Sequence, residues 1–258
     1  MKTVKIVKIG GHIINNEAAL DLFLDDFAKL ASPKILVHGG GKSATELAQQ
    51  MHVEVQMNNG RRITDADTLD IITMVYAGKI NKTIVAKLQT KNTNAIGFSG
   101  ADGNSIIAKK RPITTIDYGF VGDIQKVNID TLQLLLDQNI TPIFCAITHD
   151  ENGQLLNTNA DTVASELAIA FANEYNTELY YCFEKNGVLK DVHDDESVIE
   201  TIDSENYPSL LEKKVISDGM LPKLTNCFHA IHHKVAKVHI GKSAILLHKK
   251  LKHTTIQK

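Results

Sequence analysis

The residues of this chain whose types and spacing could do chemistry are lysines, glycines and arginines rather than a nucleophile or a histidine base. Lys8 stands near the end of an apolar strand, directly before Gly10-Gly11. A lysine there points to the ligand end of a sheet, the alternative being a surface lysine that snorkels to water. "VHGGG" sets Gly39, Gly40 and Gly41 between a second strand and a helix. A tight turn accounts for one or two glycines, and three in a row also let an anion approach the backbone and the helix N-terminus. "NGRRITDAD" carries Arg61 and Arg62 ahead of a helix that begins near Asp65. Arginine grips a carboxylate through two parallel hydrogen bonds, which suits a small acid, although two solvated arginines would look the same. "LLNTNADTVA" places Asn157, Asn159 and Asp161 at alternate positions leading into a helix. One of them serves as a helix cap, and together they form a polar rim. "ISDGMLPK" adds a glycine turn followed by Lys223, with Ser217 and Asp218 as candidate caps.

These residues must be held by strands that run into helices. The chain opens on a strand over residues 4–9, followed by an amphipathic helix over residues 16–30 with Leu20, Phe23, Leu24 and Phe27 on one face. Pro33 ends that unit, and a strand over 35–37 leads into the glycines and a helix from about Ser43. This β-α-β-α start indicates a parallel sheet covered on both faces. Farther along, "TLDIITMVYAGKINKTIVAKLQT" reads as one long helix, and residues 106–108 and 119–127 as a hairpin region. "ITPIFCAIT" and "TELYYCF" read as buried strands, and "DENGQ" as a turn. The polar stretch 190–207 separates the latter part, and a basic tail follows from His248. Lys5 fits the solvent side of an edge strand. The fold class expected is α/β: a three-layer αβα sandwich with a central, mainly parallel sheet and two lobes around a cleft. In such sheets ligands bind beyond the carboxyl ends of the strands, where every residue singled out above falls.

A chain of 258 residues with 43% hydrophobic and 22% charged residues can bury a full core. Its formal net charge of -2 gives no footprint for nucleic acid. Arginine occurs only at positions 61, 62 and 111, which makes the Arg61-Arg62 pair conspicuous. Three cysteines, Cys145, Cys182 and Cys227, lack CxxC spacing, and the first two sit in apolar runs, as expected of buried thiols in a reducing cytoplasm. The N-terminus alternates too much for a signal-peptide core, and no apolar run reaches membrane-spanning length.

Several motifs fail on their own spacing. "GGGKS" mimics a nucleotide-binding P-loop, but the glycine that such a loop needs five residues before Gly41 is Leu36. The second GKS, at Gly241, has Ala236 in that place. After Gly10-Gly11 the chain lacks GxGxxG, and no GxSxG elbow occurs. Cys227, His229, His232 and His233 lie close on one helix, yet nothing completes a zinc site.

Taken in order, "KIGG", "VHGGG", "NGRRIT", "NTNAD" and "SDGMLPK" closely resemble the amino-acid kinase family, across essentially the whole chain. Within it they resemble the branch that uses ATP to phosphorylate the γ-carboxylate of N-acetyl-L-glutamate in arginine biosynthesis. The resemblance implies one kinase domain over 1–258, with an acyl-amino-acid lobe at 1–172 and a nucleotide lobe at 173–258. It implies that Lys8 and Lys223 flank the moving phosphoryl group and that Asp161 orients both. It implies that Gly40 and Gly41 offer N–H groups to substrate and phosphoryl oxygens, and that Arg62 and Asn157 hold the α-carboxylate, with Asn159 nearby. Gly10 and Gly11 would cradle the nucleotide phosphates. Glu184, Lys185, Asn186, Gly187, Val188 and Leu189, with Val215, Ile216 and Ser217, would contact base and ribose. Mg²⁺ would ride on the phosphates and waters, no protein metal site being implied. Because the first strand starts near Val4, an arginine-insensitive cytoplasmic homodimer is expected, with no nucleic-acid or membrane partner. Two positions depart from the family. The nucleotide turn reads Phe183-Glu184-Lys185-Asn186-Gly187 in place of Ser/Thr-Asp-Val-x-Gly. Arg61 adds a cation that would suit the extra carboxylate of N-succinyl-L-glutamate, an alternative substrate. A non-catalytic ligand-binding regulator on the same fold is the alternative of a different class.

Overall fold

A computed structural model describes residues 2–31, 33–58, 60–212, 215–216 and 220–258. The first half contains β1 (Thr3–Ile9), α1 (Gly11–Ile14), α2 (Glu17–Lys29), β2 (Lys34–His38), α3 (Gly41–Gln50), β3 (Met57–Asn58), β4 (Arg61–Arg62), α4 (Ala66–Thr73), a π-helix (Met74–Ile80), α5 (Asn81–Gln89) and β5 (Ala95–Phe98). There follow β6 (Ile106–Lys110), β7 (Gly122–Val127), α6 (Asp130–Asp137), β8 (Thr141–Cys145), β9 (Ile147–His149), β10 (Leu155–Asn157) and α7 (Ala160–Phe171). The chain ends with β11 (Asn176–Cys182), β12 (Thr201–Ile202), α8 (Tyr207–Glu212), α9 (Leu221–His232), β13 (Lys237–Gly241) and β14 (Thr254–Ile256).

An eight-stranded sheet in the order β12-β14-β13-β11-β1-β2-β8-β5 runs through the molecule. The strands from β13 to β5 are parallel, and β14 turns back antiparallel on β13. A four-stranded sheet, β10-β9-β6-β7, and the β3–β4 hairpin stand apart from it. β1 pairs with β2 on one side and β11 on the other, so Lys5 sits on a central strand and not on an edge. The period of two sends Val4 and Ile6 into the cluster built with α7 and α9, and Val7 and Ile9 into the cluster built with α2, α4 and α5. Helices on both faces complete the three layers.

Local chemistry explains most of the boundaries. Asn16 caps α2 by accepting from the Ala19 N–H at 3.0 Å, and Asp65 caps α4 by accepting from Thr68 at 2.8 Å. The Asp150 carboxylate closes the "DENGQ" turn by accepting from Asn152 and Gln154, with Gly153 at φ 86°. Two elements differ from the sequence expectation. The segment read as one long helix is interrupted by the π-helix, whose wider turns leave no 3.6-residue signature. The basic tail contains β14, buried at Thr254 and Ile256, in a run too short for periodicity to register.

Lys34 is buried at the start of β2 and closes the end of α2 by donating to the carbonyls of Phe27 (2.7 Å), Ala28 (2.8 Å) and Leu30 (2.7 Å). These carbonyls lie at the C-terminus of the helix, where Phe27 also accepts the Leu30 N–H at 3.2 Å. Lys34→Met keeps the stem and strips the donors, and should lower unfolding stability in urea by about 1–3 kcal/mol through the acceptors left bare.

Candidate active site

Lys8 lies on the Val4–Ile6 face of β1, one residue from the carboxyl end, and so points at the N-termini of α7 and α9. Its Nζ is 2.7 Å from Asp161 Oδ1, and Lys223 Nζ is 2.7 Å from Asp161 Oδ2. Asp161 sits in the first turn of α7, where the helix dipole favours an anion. Lys223 sits in the first turn of α9, just after Pro222, where the dipole disfavours a cation. A lysine held in that place despite the dipole needs a compensating charge, and Asp161 supplies it. Tyr181, opposite Lys8 on β11, braces the group: its hydroxyl donates to the Asp161 carbonyl at 3.0 Å, and Lys223 Nζ lies 4.7 Å from its ring centre.

All three charged groups are largely buried. Burial alone would raise the Asp161 pKa, but the charges of Lys8 and Lys223 outweigh it and hold the carboxyl well below its usual range. For Lys8 burial prevails and lowers its pKa, Asp161 opposing and Lys223 reinforcing the shift. The site thus holds two cations against one anion, with a net demand for negative charge.

A cleft of about 850 Å³ opens on this cluster. Asp161 and Lys223 line it together with Gly39, Gly40, Gly41, Asn157 and Asn159. Asn159 is the N-cap of α7, its side chain accepting from the Asp161 and Thr162 N–H groups at 2.8 and 3.1 Å. Asn157 Nδ2 donates to Thr64 Oγ1 at 3.0 Å, so the rim of the cleft is tied to the Arg62 segment. Arg62 Nη2 donates to Thr45 Oγ1 at 2.7 Å and to the Gly41 carbonyl at 3.0 Å. Arg62 Nη1 is buried with no partner among the described residues. A buried donor of this kind is an opening for an anion.

The glycines divide into two kinds. A Cβ on Gly40 would overlap Ile80 Cδ1 and lie 2.8 Å from Tyr76 Cδ1, so packing against the π-helix alone demands glycine there. Gly41 and Gly11 have only ordinary contacts, at 3.7 Å to the Tyr76 hydroxyl and to Asn15 Nδ2 respectively, and so leave backbone exposed to a ligand without steric need. His38 holds the loop from below. It is fully buried and pushed down to about 4 by burial, with Nδ1 donating to the Gly39 carbonyl at 2.8 Å and Nε2 accepting from Asn81 at 3.1 Å.

Of the residues expected on the nucleotide side, Gly10 and Gly11 follow the carboxyl end of β1, residues 184–189 follow β11, and Val215 and Ile216 follow α8; none of these lines this cleft. The Gly10 N–H is bound to the Cys182 carbonyl at 2.9 Å, and Gly11 opens α1. Glu184 is exposed, whereas Lys185 pairs with Asp195 at 2.8 Å and Asn186 donates to the Asp195 carbonyl at 3.0 Å. Gly187 packs on Thr254, and the Val188 and Ile216 side chains belong to the core, with Val215 packed against it and Leu189 half-buried. Ser217 and Asp218 lie outside the described residues.

Arg111, Tyr118 and Tyr76 are among the cleft residues that had no role in the sequence reading. Arg111 lines the cleft, forked onto Asp123 (Nη2–Oδ1 2.6 Å) and stacked 5.3 Å from the Tyr118 ring centre. Tyr118 and Tyr76 line it too. The signal for Arg111 was the scarcity of arginine: all three arginines of the chain converge on one cleft. The histidine group on α9 holds no such site. His229 pairs with Glu166, and no cluster of three metal-ligating side chains occurs among the described residues. No helix among them is long and apolar enough to cross a membrane.

The Amino acid kinase family model matches residues 3–242. This chain belongs to the amino acid kinase family. Among curated members, the acetylglutamate kinase of Cytophaga hutchinsonii is 54% identical, covering 96% of this chain and 94% of the relative. That of Phocaeicola vulgatus is 52% identical, covering 90% and 91%. Among solved structures, the N-acetylglutamate synthase of Neisseria gonorrhoeae complexed with coenzyme A and N-acetyl-glutamate has a TM-score of 0.82 at 21% identity. It covers 99% of this chain and 59% of that one, a likeness of fold. In the Lys8–Asp161–Lys223 cluster one carboxylate holds two ammonium groups in fixed register.

Asp161→Asn should expose the electrostatics directly. The native carboxyl is held below its ordinary value of 3.8, so the ion pairs contribute fully above that pH and are lost as pH falls through the folded pKa. The stability gap between native and variant protein, about 3–5 kcal/mol at neutral pH, should therefore shrink below pH 4 in denaturation measured across pH.

Proposed function

We propose that this chain is an acetylglutamate kinase, transferring the γ-phosphoryl group of ATP to the γ-carboxylate of N-acetyl-L-glutamate in arginine biosynthesis. The observation that carries the reading is one carboxylate holding two lysines, the carboxylate and Lys223 lining a cleft that also presents a buried arginine donor. Relatives of about half-identical sequence, matched nearly end to end, carry that activity in their names.

The chemistry suits the residues. The acceptor carboxylate, with an unperturbed pKa of about 4.3, is ionised at neutral pH, so no base has to remove a proton. The obstacle is bringing this anion against a polyanionic nucleotide and stabilising charge on the transferring oxygens. Lys8 and Lys223 meet that need as cations already in place, and Asp161 keeps them there without neutralising both. Arg62 and Asn157 hold the α-carboxylate, Asn159 shapes the adjoining rim, and Gly41 offers its N–H at the start of α3. Residues 1–172 carry the acceptor. Residues 173–258 take the nucleotide, with Gly10 and Gly11 at its phosphates and the turn Glu184–Leu189, with Val215–Ser217, at base and ribose. The core positions of Val188 and Ile216 leave their backbone for that contact. ATP enters as its Mg²⁺ complex, the ion held by phosphates and water, since both oxygens of Asp161 are engaged by lysines.

A second reading rests on Arg61. It is exposed at the cleft, with no hydrogen bond or ion pair among the described residues, and Arg111 lines the same cleft. Two cations beyond Arg62 suit an acyl group that ends in a carboxylate, as in N-succinyl-L-glutamate.

An ADP-release assay with each acyl-glutamate tests both readings. Turnover of the acetyl compound is expected, and no turnover with either refutes the kinase. Should the succinyl compound be preferred, Arg61→Ala should raise its KM about 10-fold and spare the acetyl compound. Lys8→Ala and Lys223→Ala should each lower kcat about 10²- to 10³-fold with little change in KM, because their contacts strengthen as charge develops.

A further inference from the structure

The wall of the cleft contains a second polar group left without a partner. Tyr76 is 6% exposed and lines the cleft, and its hydroxyl makes no hydrogen bond among the described residues. The ring is buried, whereas the hydroxyl itself opens to the cleft. Its ring is clamped against Gly40, and its hydroxyl lies 3.7 Å from where a Gly41 side chain would begin. That hydroxyl therefore faces the loop whose Gly41 carbonyl anchors Arg62, itself carrying the unpartnered Nη1. Burial raises the Tyr76 pKa, the Arg62 charge only partly opposing, so the group is a donor at neutral pH. Tyr76 is carried by the π-helix Met74–Ile80, its ring packed in the same core cluster as Val75 and Ile80 while the residue also lines the cleft.

We propose that Tyr76 binds the acceptor substrate, donating to the same carboxylate that completes Arg62 Nη1, and that the π-helix exists to present it. The assignment deepens the acyl-glutamate kinase reading and rests on it. Arg62 Nη1, buried without a partner, and the Tyr76 hydroxyl, open to the cleft beside Gly41, fit one anionic group, which would be held in ground state and transition state alike. Tyr76 is in this sense a binding residue, distinct from the lysines that follow the phosphoryl group.

Tyr76→Phe keeps the ring against Gly40 and removes only the hydroxyl. Binding of N-acetyl-L-glutamate measured by calorimetry without nucleotide should weaken about 10- to 100-fold. In turnover, KM for the acyl substrate should rise to a similar extent, with kcat and the KM for ATP within about twofold of native. Unchanged affinity for the acyl-glutamate in Tyr76→Phe overturns the proposal. So does a loss shared equally by ATP affinity and thermal stability, which would mark a packing role. If the native protein binds the acyl-glutamate without turning it over, the kinase reading falls while the binding comparison still decides Tyr76. If it does not bind the compound at all, both fall.

Discussion

Everything at this site depends on one carboxylate shared by two ammonium groups. Asp161 reaches Lys8 from one oxygen and Lys223 from the other, both at 2.7 Å. Each partner comes from a different element: a central strand, the first turn of α7 and the first turn of α9. The sheet face, the packing of α7 on α9 and the brace from Tyr181 all serve to bring three charges into one low-dielectric spot. Such burial costs energy unless every charge is matched. Here the match is deliberately incomplete, because two positive charges meet one negative charge, and the remainder is available to an anion.

The wall of the cleft that carries Arg62 and Asn157 is organised through the backbone. Thr64 exchanges hydrogen bonds with Tyr118 and Phe120, and Asn157 is joined to Phe120 and to Thr64. The segment carrying Arg62 and the segment carrying Asn157 are thereby stitched to one hairpin. His38, kept neutral by burial, fixes the glycine loop to α5 through Asn81. A neutral, hydrogen-bonded histidine is a structural rivet and not a base, which agrees with a reaction that needs no proton removed.

Much of this was legible in the sequence because it is written in local rules. Lys8 before two glycines, the helix start near Asp65, a cap among Asn157, Asn159 and Asp161, and the "DENGQ" turn each announce themselves within a few residues. The false P-loop at Gly41 was also exposed by spacing alone. What stayed hidden depends on long-range placement. Arg111 lies next to a polar hairpin and had no mark but the scarcity of arginine until β6 and β7 carried it to the cleft. Tyr76 sits inside a segment whose apolar spacing suggested an unbroken helix, and only the structure shows it on a π-helix lining the cleft. Gly40 looked like an anion contact, whereas its lack of a side chain is already required by Tyr76 and Ile80. β14 was masked by lysines around a three-residue strand.

The central claim is that Asp161 makes Lys8 and Lys223 act as one unit. A double-mutant cycle in kcat tests it, comparing Lys223→Met, Asp161→Asn and the pair of changes in one protein. If the lysine works through its alignment by the carboxylate, the double variant should be about as slow as the slower single variant. If the two losses multiply, the residues act independently, and the shared-carboxylate account is wrong.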